Sequence, residues 1–260
     1  EQIRAALATL HAIDRSKLSD AQKTKYDLMQ WQLEMEIDEF QYKTYLIPLD
    51  QSNGVQTLDD FANFVPLNTL KDYENWLARL SALPSLLEQT RTLMEAGIAA
   101  KVMPSADTMA RVPAQLKRHV VEEATDSLFY TAFKSMPDSI SAAQQQALQR
   151  QAKHLISEEI IPEYREFTTF FENEYLPACR KHVGVWALPK GKEYYQHLIS
   201  YFTTTEMTPD EIHELGKREV ARNRAEMLKI IDEVGFDGNF DEFVTFLRTD
   251  PQFYFDTPEE

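Results

Sequence analysis

Glycine is scarce in this chain of 260 residues. There are 7, where average usage would give roughly 18. Alternating apolar–polar runs are nearly absent as well, so a sheet-built fold with many tight turns is disfavoured. There is one cysteine, Cys179, which excludes an internal disulfide and leaves thiol usage silent about compartment. No apolar run approaches the roughly 18 residues of a membrane-spanning helix. Positive charge is also in short supply: 27 Lys and Arg stand against 42 Asp and Glu, a net charge of −15. A surface this acidic repels phosphate backbones, so nucleic acid is not an expected partner, and an anionic membrane surface is disfavoured for the same reason. Nothing in the pattern specifies an oligomeric state.

What is present points to helices. The 12 prolines mostly sit where helices should begin or end, and apolar residues recur at steps of three and four. Residues 1–13 read as a short helix. Ser19 or Asp20 caps a long one reaching about Leu46, with Tyr26, Met29, Leu33, Ile37 and Phe40 on one stripe. A second row, Leu28, Trp31, Met35 and Tyr42, predicts burial on two sides. Pro48 to Gly54 is a loop, and Thr57 starts a short helix ended by Pro66. Asn68 or Thr69 opens the next, which Pro84 kinks or splits and Gly97 caps. A helix holding Met109 to Val121 follows, with Pro113 bending it or falling in its first turn. Ser141 caps a Gln-rich helix that Pro162 interrupts. Another carries Tyr164, Phe167, Phe170, Phe171 and Tyr175 and meets Pro177. Thr208-Pro209-Asp210-Glu211 combines a cap, a first-turn proline and a capping box, so a helix is predicted over 209–234, stopped by Gly235. A short one begins near Asn239. The expected fold is all-α, an irregular multi-helix array with long amphipathic helices and no internal boundary. The chain opens inside a helical pattern and closes on a helix start, Thr257 to Glu260. We therefore read residues 1–260 as a helical portion of a longer protein.

Four constellations could carry chemistry. Glu34, Glu36, Asp38 and Glu39 could ligate metal, but they read as a solvated helix face. Cys179 and His182 lie one turn apart, yet nucleophilic catalysis needs an orienting group and a donor pocket as well; a half-buried free thiol is the simpler account. His213-Glu214 is the sole His-Glu pair. Zinc peptidases place a second His four residues after the first, and here that position is Lys217, whose ammonium cannot ligate. None of the six histidines has Glu three residues before it, as a di-iron bundle would require. No catalytic and no metal-ligating residue is therefore assigned. The densest gathering of polar and aromatic groups is 184–220, with Tyr194 and Tyr195 about 100° apart on a helix, so that one can be core while the other faces a cleft.

This stretch resembles the signature region of the bacterial domain-of-unknown-function 885 family. The matching elements are Leu188-Pro189-Lys190-Gly191-Lys192-Glu193-Tyr194-Tyr195, the loop Thr203-Thr204-Thr205, and Thr208-Pro209-Asp210-Glu211-Ile212-His213. Tyr45 to Leu49 and Gly54 are similar too. The family is similar to zinc metallopeptidases of the thermolysin type. The resemblance implies a largely helical protein that is secreted or periplasmic, in some members lipid-anchored. It implies zinc in the intact protein, bound by a motif outside this chain, and a peptide substrate. Tyr194, Tyr195, Thr204 and His213 are the expected substrate contacts. The alternative is a non-catalytic helical binding or scaffold protein; a His-Glu-x-x-His motif elsewhere in the intact protein would discriminate.

Overall fold

Several helices in this computed structural model, which describes residues 1–255 and 257–259, begin where a side chain satisfies free amides of the first turn. α1 spans Gln2–His11 and α2 spans Asp20–Glu39. Ser19 caps α2 and Gln22 reaches back to close a capping box. After Glu39 the chain tightens into 3-10 turns at Phe40–Tyr42 and Thr44–Leu46, parted by Lys43 in the left-handed region. α2 therefore stops short of the expected Leu46. It is also not buried on two sides: Leu28 is 62% and Met29 48% exposed, and Leu33 is its buried residue. α1 covers part of it.

A 3-10 segment, Val55–Asn63, leads to α3 (Leu70–Leu80) and α4 (Leu83–Ala100). Thr69 and Asp72 form the capping box of α3, and Pro84 lies in the first turn of α4. Gly97 does not cap α4. It lies inside the helix, and Lys101 takes the left-handed position while Val102 N–H donates to the Gly97 carbonyl. The helix expected over Met109–Val121 is two short ones, α5 (Ala106–Met109) and α6 (Val112–Lys117), with Pro113 in the first turn of α6.

From Ala142 to Ala178 the backbone is one helical rod. α7 (Ala142–Leu155), α8 (Ile161–Phe170) and α9 (Leu176–Ala178) are joined by π turns at Ile156–Ile160 and Phe171–Tyr175. Pro162 thus fails to interrupt the helix. Each π turn ends just before a proline, Pro162 or Pro177. A proline has no N–H and its ring presses on the carbonyl four residues back, and the wider π turn relieves both conflicts. The rod is the spine of the core: α3 packs on α7, while α4 and α6 pack on α8. Tyr164, Phe167, Phe171 and Tyr175 are fully buried along it, matching the predicted stripe.

The last helices are α10 (Gly191–Thr203), α11 (Pro209–Glu233) and α12 (Phe240–Thr249). α11 has the predicted capping box of Thr208 and Glu211, runs unbroken through Gly216, and ends before Gly235 at φ +67°. Asn239 caps α12. Thr257 to Glu259 form a bend and turn, and the helix start read there finishes on Glu260, outside the described residues. The fold is all-α: among the described residues there is no strand, and the one β-type contact is an isolated bridge between Ser105 and Arg180. The chain divides into two compact units, Glu1–His197 and Leu198–Glu260. The first holds the core just described. The second is built on α11 and α12, with Phe236, Phe243 and Phe246 in mutual ring contact. No helix among the described residues is long and apolar enough to cross a membrane.

Candidate functional site

The signature stretch enters through a pinned loop. Arg180 donates from Nε to the Met103 carbonyl at 3.0 Å and from its guanidinium to the Gly184 carbonyl at 2.7 Å. A 3-10 turn at Val185–Ala187 follows, and Lys190 adopts φ +54°. Gly191 then starts α10. A Cβ there would fall onto the Val185 carbonyl oxygen and the Trp186 backbone, which is the physical reason for glycine in Leu-Pro-x-Gly.

One turn into α10, Tyr194 and His197 share a face, since residues three apart on a helix are neighbours. That face meets the end of α2. His197 Nδ1 lies 3.1 Å from Asp38 Oδ2. A carboxylate oxygen only accepts, so Nδ1 carries the hydrogen and Nε2 is left as an acceptor. Nε2 has no hydrogen-bond partner among the described residues. Tyr42 packs on both rings, its centroid 5.1 Å from Tyr194 and 5.4 Å from His197. Burial, with help from Asp38 and Glu193, raises the Tyr42 hydroxyl above its usual pKa; burial and Glu39 do the same for Tyr194. Both phenols therefore stay protonated at neutral pH and can donate. The Tyr194 hydroxyl makes no hydrogen bond among the described residues. The arrangement is a half-buried cluster of two phenols, an oriented imidazole and its carboxylate. It can donate to a carbonyl and accept from an amide.

Of the four residues expected to contact substrate, Tyr194 belongs to this cluster. Tyr195 is 46% exposed on another side of α10. Thr204, at φ +54°, and His213 lie in the second unit, both exposed. Lys217, four residues after His213, pairs with Glu214 at 2.9 Å. Cys179 is buried, and burial pushes its thiol up to about 11, so it is inert rather than nucleophilic. His182 packs edge-on to Trp186.

Sequence reasoning missed the partners. Asp38 lies on the solvated face where the sequence placed it, and its carboxylate is also the partner of His197, 159 residues away. The three-residue spacing of Tyr194 and His197 was the available signal. A second polar cluster gave no local signal at all. His119 Nε2 lies 3.0 Å from the Gln56 carbonyl, which Arg118 also meets while pairing with Asp59 at 2.8 Å. Gln56 in turn donates to the Asp50 and Asn53 carbonyls. Phe129 and Tyr164 pack against the His119 ring, and burial holds its pKa below the usual value. These groups fasten the 50–59 loop to the core. Among the described residues no three His, Cys, Asp or Glu side chains converge as metal ligands.

The sequence profile of the family described as bacterial protein of unknown function (DUF885) matches residues 1–260. No curated protein matches. Among solved structures, the crystal structure of the putative lipoprotein from Colwellia psychrerythraea is similar, with 25% identity and a TM-score of 0.78. The alignment covers 99% of this chain and 47% of that one. The chain thus spans about half the length of that solved relative.

Proposed function

The chain belongs to the bacterial family of unknown function DUF885, and on that premise we propose that it forms the helical wall of a substrate cleft in a zinc-dependent, peptidase-like hydrolase whose metal ligands lie outside these 260 residues. The observation that carries this reading is the Tyr42–Tyr194–His197–Asp38 cluster. A peptide backbone offers alternating carbonyl acceptors and N–H donors. The Tyr194 hydroxyl would donate to one carbonyl, and His197 Nε2 would accept from one amide. Asp38 would fix the imidazole so that the accepting nitrogen does not rotate away. Positioning by such contacts accelerates a reaction when they strengthen in the transition state. Zinc in such hydrolases polarises the scissile carbonyl and activates water. A secreted or periplasmic, lipid-anchored setting fits with a relative described as a putative lipoprotein.

The test is an assay of the intact protein against a peptide library, with and without chelator. Hydrolysis that chelation abolishes is expected. Tyr194→Phe should then lower kcat/KM by about tenfold, the worth of one hydrogen bond of roughly 1–1.5 kcal/mol. His197→Gln, which loses the oriented acceptor, should cost at least as much. No hydrolysis of any peptide, with no bound metal, would favour the second reading, a non-catalytic binding or scaffold protein.

A further inference from the structure

Away from that cluster, an apolar pocket of about 190 Å³ opens where the Val55–Asn63 segment meets the α3–α4 junction. Leu58, Phe61, Leu80, Leu83, Leu86 and Phe129 wall it. Two further lining residues break the apolar surface. Trp76 is 3% exposed, and its indole N–H is buried without an acceptor among the described residues. Arg79 is exposed, and its guanidinium makes no hydrogen bond or ion pair among the described residues. Trp76 and Arg79 are three apart on α3 and so lie on one face, the indole closed off from solvent and the guanidinium at the exposed rim.

We propose that this pocket binds a small apolar monocarboxylate, its hydrocarbon part among the leucines and phenylalanines and its carboxylate paired with Arg79. The lining selects this class. Apolar walls take a hydrocarbon, and an unpaired guanidinium takes an anion in a two-pronged geometry. An amine would meet a like charge. The volume sets the size: at a water's share of about 30 Å³, the pocket holds about six such groups. That is well under the roughly 300 Å³ at which drug-sized sites begin. A six-carbon acid fits, and a long-chain lipid does not. The site is independent of the peptidase reading and uses none of its residues.

The test is calorimetric titration of the intact protein with hexanoate, hexan-1-ol and hexylamine. Hexanoate should bind at one site, about tenfold more tightly than hexan-1-ol, because the ion pair is made with the acid alone. Hexylamine should bind most weakly. Arg79→Gln should bring hexanoate down to the affinity of the alcohol and leave the alcohol unchanged. Leu86→Glu, at the exposed rim, should weaken hexanoate by placing a like charge beside it. Both side chains are exposed, so folding should survive, and Arg91→Gln, which alters a paired arginine elsewhere, should leave all three affinities as they were. The proposal is overturned by absence of saturable binding, by equal affinity for hexanoate and hexan-1-ol, or by hexanoate binding that Arg79→Gln does not change.

Discussion

His119 is 1% exposed, with the rings of Phe129 and Tyr164 against it. Two influences on its proton oppose each other. Burial penalises the charged ring, while the Gln56 carbonyl and the Asp59 carboxylate, 3.5 Å from Nε2, favour it. Burial prevails, because the ring is enclosed and Arg118 already neutralises Asp59. The folded pKa therefore lies below 6.5, and the folded state binds protons less readily than the unfolded chain. Stability from this group is full above about pH 6.5 and is lost as pH falls below it. The urea midpoint should drop between pH 7.5 and 5.5, and His119→Gln should flatten that slope while lowering the midpoint overall. A pH-independent midpoint in the native protein would contradict this. The depressed carboxylates Asp50, Asp72 and Glu211 act lower on the scale: their contribution is lost only as pH falls through and below their ordinary values of 3.8 and 4.5. Tyr164 belongs to the same fastening. Its hydroxyl, kept protonated by burial, donates to the Val55 carbonyl at 2.7 Å. Tyr164→Phe leaves that carbonyl unpaired and should cost about 1–3 kcal/mol in chemical denaturation; no loss would mean the loop finds another donor.

Among the elements, α11 gives the cleanest contrast between propensity and backbone strain. Gly216 sits mid-helix, and a Cβ there meets open space. Gly216→Ala should stabilise by about 0.5–1 kcal/mol, since glycine loses the most backbone freedom on helix formation. Gly235 also has open space, yet its φ of +67° is a conformation that costs a side-chain-bearing residue about 1–2 kcal/mol. Gly235→Ala should therefore destabilise. Thermal melts of the two variants should move in opposite directions, and equal shifts would refute the argument. The start of α11 was legible in Thr208-Pro209-Asp210-Glu211 because a capping box is written within four residues. The same holds for Ser19 with Gln22 and Ser141 with Gln144. The π turns were not legible. Pro162 and Pro177 carry the same local signal whether a helix breaks or widens, and the packing of Ile156, Ile160 and Phe171 in the core decides which. Apolar spacing on α2 also misled, since Leu28 and Met29 are periodic yet exposed. Asp38 does face water, as its acidic neighbours suggested. What local pattern could not show is its partner His197, which comes from a helix that only the folded chain brings near.

At the scale of the whole molecule, the question is where a catalytic metal would be held. The chain aligns with 47% of its solved relative, so the intact protein's chemistry need not reside in these 260 residues. Hydrolytic zinc takes three protein ligands and keeps one open position. His119 is enclosed, with Nε2 on the Gln56 carbonyl. His197 keeps Nε2 open but belongs to no group of three ligating side chains among the described residues. His182 packs on Trp186. His11 and His154 lie on α1 and α7, with no second imidazole four residues away on either helix. His213 has Lys217 at that spacing, held by Glu214. Among the described residues no three of these side chains come together as ligands. The purified 260-residue chain should therefore carry no stoichiometric zinc, whereas the intact protein should carry about one ion and lose activity on chelation. Elemental analysis of both, side by side, decides the matter. Tight zinc in the short chain would overturn the assignment of His213-Glu214 as a non-ligand pair. Zinc in neither would move the balance to a helical scaffold in which Tyr194 and His197 bind a peptide without cutting it.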